Sequence, residues 1–138
     1  MDGLTIPLPY EYSKFLFYSS FSMLIATIIS CIMNDIYITA YFLVIFITSI
    51  NYWRQPEYGL RRDIDLFMVK FGICVLLWQL FLLKSEFSRY CLLSFMICGL
   101  FFYLIEHILV YCKSVKWIVF HMAIHMYASC SALLVILN

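Results

Sequence analysis

Tyr90–Cys112 reads YCLLSFMICGLFFYLIEHILVYC, an apolar run whose one carboxylate is Glu106 and whose one histidine is His107. About 20 such residues suffice to cross a hydrocarbon core near 30 Å thick, so the run is long enough to span a membrane. A span must satisfy every backbone N–H and C=O internally, and the run lacks the apolar/polar alternation of a barrel strand. It therefore reads as a transmembrane helix.

Working outward, four further segments qualify: 14–33, 36–53, 64–83 and 115–137. With 90–112 they predict an all-α, five-span bundle filling residues 1–138 as one transmembrane domain. The connections around Asn34-Asp35, Lys84 to Arg89 and Lys113-Ser114 are short, so helices consecutive in sequence should be antiparallel neighbours. The longest loop, Arg54 to Asp63, holds Pro56 and Gly59, while Pro7 and Pro9 precede the first helix. Nothing after the first apolar run looks like a small-residue cleavage site, so that segment is read as retained.

Composition agrees. Hydrophobic residues make up 65% of the 138 and charged residues 12%, where a water-soluble domain carries about a quarter charged. The mean hydropathy is +0.95. A net charge of +1 with scattered Lys and Arg offers no basic surface for nucleic acid. The six cysteines sit in or at the ends of apolar segments without a CxxC pair, which suits packing rather than disulfides or metal.

Five crossings would gather Lys14, Arg54, Arg61, Arg62, Lys113 and Lys116 on the N-terminal side, against Lys84 and Arg89 opposite. By the positive-inside rule the N-terminus is expected in the cytoplasm. Tyr52, Trp53, Tyr58, Tyr90, Tyr111 and Trp117 fall near the span boundaries, where amphipathic rings collect.

Ionisable groups inside spans cost about 3 kcal/mol or more at the bilayer centre, so their positions are informative. Here they share one end of the bundle: Ser49 and Tyr52 close the second span, Asp63 and Asp65 open the third, Glu106 and His107 close the fourth, and His121 and His125 enter with the fifth. At 1.5 Å rise per residue, His121 lies roughly 7 Å along the helix from Lys116, and His107 roughly 9 Å from Lys113. His121 and His125, four apart, share a face that continues through Ser129 and Ala132.

Two imidazoles at i and i+4 can bind one metal, with a third ligand and a water completing a catalytic zinc site. Zinc would acidify that water and polarise a carbonyl, the chemistry of amide or ester hydrolysis. Ser49 and Tyr52 would donate to an oxyanion, and Asp65 would orient a ligand or move a proton. The plainer alternatives are histidines bonded to neighbouring helices, Glu106 paired with Lys113 or Lys70, Lys70 snorkelling to the surface, and Asp63 and Asp65 serving as charges at a helix N-terminus. His107, His121 and His125 also admit a haem reading, which needs only two facing imidazoles.

The order of Ser49 and Tyr52 ending one span, Asp65 opening the next and His121 and His125 as HxxxH in the last resembles the CREST superfamily of alkaline ceramidases and progestin and adipoQ receptors. The resemblance implies zinc held by three histidines, with a serine and an aspartate close by, and hydrolysis of the amide of a ceramide-like lipid. On it Ser49 and Asp65 match the family Ser and Asp, and His121 and His125 two of the zinc ligands. The chain departs where the family has its first histidine, because Tyr52 stands there, and in having five spans instead of seven. Either the zinc site is lost or His107 supplies the third nitrogen. The expected partners are membrane lipids and, in a contrasting reading as an accessory subunit, other membrane subunits or further copies of the chain.

Overall fold

The computed structural model describes residues 10–57 and 59–138. Pro7 and Pro9, expected before the first helix, and Tyr58, expected at a boundary, lie outside the described residues. The elements are α1 (Tyr10–Ser19), α2 (Phe21–Ile32), α3 (Ile36–Trp53), α4 (Leu60–Leu82), α5 (Glu86–Tyr111) and α6 (Trp117–Ile136). With α1 and α2 counted as one unit, five helices are long and apolar enough to cross a membrane, compatible with an integral multi-pass protein.

The α1/α2 break has a local cause. The carbonyl of Leu16 accepts hydrogen bonds from the Ser19 hydroxyl at 2.9 Å, the Ser20 hydroxyl at 2.9 Å and the Ser20 N–H at 3.2 Å. Hydroxyls that bond back onto the preceding turn compete with the backbone ladder and bend a helix. Elsewhere the helices exceed their apolar cores. α4 begins at Leu60 rather than Ile64, so Arg61, Arg62 and Asp63, expected in the loop, form its first turns. Asp63 there complements the positive end of the helix dipole.

Two expected connections are tight helix-to-helix turns. After α2, Asn34 adopts φ 60°, its N–H bonds to Cys31 O at 3.1 Å, and the Asp35 N–H bonds to Ser30 O at 3.0 Å. After α5, Lys113 adopts φ 54°, with Lys113 N–H to Val110 O at 3.0 Å and Ser114 N–H to Leu109 O at 2.9 Å. Both are Schellman closures, which satisfy terminal carbonyls of the helix. Asp35 then caps α3 through Ile38 N–H at 3.1 Å, and Arg89 Nε donates to Leu83 O at 2.8 Å beyond the end of α4. Asparagine tolerates the left-handed conformation and lysine does not, at about 1 kcal/mol or more. Lys113→Gly is therefore expected to stabilise the protein by about 0.5 kcal/mol, the relief outweighing glycine's extra entropy. Thermal unfolding in detergent would show the midpoint rising, and a fall would contradict it.

The neighbours are mostly sequential. α2 packs on α3, α3 on α4 and α5 on α6, while α6 also packs on α2 and α1; α4 and α5 meet only narrowly. The core lies between α2, α3 and α6, with Met23, Ala26, Ile38, Phe42, Ile45, Ala132 and Val135 buried. Ala26 and Ala132 are fully buried, and such small residues let membrane helices approach closely. A second cluster of Leu16, Tyr52, Trp53 and Ile118 closes the end where α1, α3 and α6 meet. Beneath that lid sit the polar groups.

Candidate functional site

Two polar pairs are assembled at this end. Between α3 and α4, the Ser49 hydroxyl donates to Asp65 Oδ1 at 2.7 Å, with both residues buried. Between α5 and α6, His121 Nδ1 lies 2.9 Å from Glu106 Oε1. Asp65 lies within electrostatic range of His121. Glu106 thus partners His121 and neither of the lysines considered for it.

The His121 ring is the hub. It meets His125 edge-on, with ring centroids 4.8 Å apart, and Trp53 at 4.9 Å, and Trp117 lies 6.1 Å away. His125 is buried, and its Nδ1 lies 2.8 Å from the Ser19 hydroxyl. Both imidazoles are thus held through Nδ1, which leaves Nε2 of each for a further partner. Ser129 donates to His125 O at 2.9 Å and its hydroxyl lies 2.9 Å from that of Ser22, joining α6 to α2 one turn further in.

Of the residues singled out in the sequence, Ser49, Tyr52, Asp65, Glu106, His121 and His125 gather at this end. His107 does not join them. It is exposed, its Nδ1 lies 3.2 Å from Tyr103 O of its own helix, and its ring lies against Tyr103. One step along a helix turns the side chain by about 100°, so with Glu106 facing α6, His107 faces elsewhere. Asp63 is likewise exposed. Among the described residues no three His, Cys, Asp or Glu side chains form a metal-holding group.

The fit to zinc is therefore partial. His121 suits it, because an imidazole whose other nitrogen is held by a carboxylate is a common metal-ligand arrangement, while His125 is held by a serine hydroxyl instead. His107 does not complete a three-histidine set. The facing-imidazole haem reading also weakens, since the two close histidines sit on one helix.

Sequence reasoning missed Ser19, Ser22 and the role of Trp53. A signal existed in Ser19, Ser20 and Ser22, three hydroxyls in an otherwise apolar stretch. Ser19→Ala strips His125 Nδ1 of its partner in a buried site, which costs about 1–3 kcal/mol. Unfolding of Ser19→Ala beside Ser94→Ala, an exposed serine on α5, separates this bond from a generic effect of losing a hydroxyl; equal midpoints would deny it. No family model, curated protein or solved structure matches the chain.

Proposed function

We propose that the chain is a multi-pass membrane protein, N-terminus in the cytoplasm, whose His–carboxylate site beneath one leaflet's headgroups acts on the polar part of a lipid. The reaction is the one the CREST resemblance implies, hydrolysis of an amide in a ceramide-like or acyl lipid. The observation that supports it most is His121, held by Glu106 through Nδ1 and set edge-on to His125. A carboxylate–imidazole pair fixes the ring and strengthens it as a base or ligand.

Within this reading His121 and His125 would offer Nε2 to zinc, and Asp65, within electrostatic range of His121, would supply the third ligand. Zinc, when bound, supplies an acidified water and a Lewis acid. Ser49 holds Asp65 in place, and Trp53 and Trp117 pack against the ring of His121. Loss of such an acid–base or ligand group lowers turnover by about 10²–10⁴-fold.

Metal analysis of gently extracted protein and hydrolysis of a fluorescent ceramide by wild type and His121→Ala test the proposal. One zinc per chain and turnover lost in the variant are expected. Zinc-free protein with turnover unaffected by His121→Ala would rule out the catalytic version.

One observation is also compatible with the accessory-subunit reading. α4 and α5 bury the least of themselves inside the chain and present Phe67, Phe71, Trp78, Phe81 and Phe101 outward. Such faces suit either lipid or a partner subunit. Purification of the chain alone as a monodisperse species would remove that support.

A further inference from the structure

We propose that a small cavity at the N-terminal end of the bundle binds a phosphate group, carried on a phospholipid headgroup or free in solution. The cavity measures about 80 Å³ and is lined by Tyr10, Lys14, Phe17, Tyr18, Trp53 and Arg54. A water takes about 30 Å³ in the liquid, so the space admits a larger group.

Its walls are rich in donors. Lys14 and Arg54 bring two positive charges, and Tyr10 and Tyr18 bring two hydroxyls. Among the described residues neither cation forms an ion pair; Lys14 Nζ instead lies 5.4 Å from the Phe15 ring centroid. Two unpaired cations and two phenol hydroxyls around one cavity, with no carboxylate in its wall, suit an anion with several acceptor oxygens.

Phosphate suits this set better than a singly charged, planar anion. Its oxygens take the fork of an arginine, the point charge of a lysine and a phenol hydroxyl together. The cavity also lies at the level of Tyr10, Tyr18 and Trp53, amphipathic rings of the kind found among headgroups. The lipid source rests on the membrane reading given above; the chemistry of the cavity does not.

The full chain, purified and delipidated in neutral detergent, would be titrated with dioleoyl phosphatidate, inorganic phosphate and phosphate-free dioleoylglycerol while its unfolding midpoint is followed. Saturable stabilisation by phosphatidate is expected, about tenfold weaker in affinity for Lys14→Gln and for Arg54→Gln. Lys113→Gln, which removes a cation outside the cavity, should bind as wild type does. Inorganic phosphate acting alone, with the same variant pattern, assigns the site to the free ion. Dioleoylglycerol matching phosphatidate, no saturable response to either phosphate, or variants that bind unchanged would each overturn the proposal. Unliganded midpoints near wild type show that Lys14→Gln and Arg54→Gln, both changed outside the apolar core, are folded.

Discussion

Gly72→Val is expected to destabilise the protein by about 2–3 kcal/mol and to loosen the Ser49–Asp65 hydrogen bond. A Cβ at Gly72 would fall on the hydroxyl end of Tyr41, so the phenol must move or α3 and α4 must part. The phenol is not free to swing. Its hydroxyl donates to Met68 O at 3.3 Å, and its ring packs edge-on to Phe42 at 5.0 Å and near Phe71 at 6.2 Å. Moving it forfeits those contacts. Parting the helices instead stretches the 2.7 Å bond from Ser49 to Asp65, which bridges the same two helices nearer the site.

A double-mutant cycle with Tyr41→Ala separates this contact from any general intolerance of valine at position 72. With the phenol gone, Gly72→Val should cost at least about 1 kcal/mol less than in the wild-type background. Unfolding in detergent measures both, and an unchanged cost in the Tyr41→Ala background refutes the account. Large packing effects are otherwise hard to obtain in such a bundle. Lipid tails are as apolar as leucine, so burying a side chain between spans yields no transfer from water, and close fit and hydrogen bonds carry the specificity.

That same physics explains what could be read from the sequence. Spans announce themselves through length and hydropathy, so all five were legible, and their ends strayed where charged residues extended a helix, as Arg61, Arg62 and Asp63 do in α4. Depth was legible too, because rise per residue is fixed. It placed Asp65, Glu106, His121 and His125 at one end. Facing is harder, since it depends on how each helix is rotated against neighbours that the sequence does not name. His121 and His125 were constrained by lying on one helix with Ser129 and Ala132 behind them. Glu106 and His107 are adjacent in sequence and similar in depth, so only the seating of α5 on α6 decides that the carboxylate turns inward and the imidazole outward. Ser19 was invisible for a related reason: its meeting with His125 requires the bend before α2, made by three donors converging on Leu16 O.

Replacing Glu106 should show which of those two residues serves the site. Glu106→Leu removes the partner of His121 Nδ1 and is expected to cost about 1–3 kcal/mol in stability, because the imidazole then has a polar atom with nothing to bond. In the zinc-binding reading it should also weaken zinc retention by about 10–100-fold, the usual penalty for losing the carboxylate behind a ligating histidine. Glu106→Gln keeps an acceptor at the same reach but not the charge, and should fall between the two. A purely structural role would move stability alone, so zinc affinity is the discriminating measurement. The second oxygen adds to the expectation. Oε2 of Glu106 is buried with no hydrogen-bond partner among the described residues, which leaves an acceptor for a donor arriving beside it. His107→Ala supplies the contrast. Its ring is exposed and bonded within its own helix, so zinc retention and stability should stay at wild-type values. If instead His107→Ala released the metal while Glu106→Leu kept it, α5 would have to present its other face to α6, and the pairing of Glu106 with His121 would be wrong.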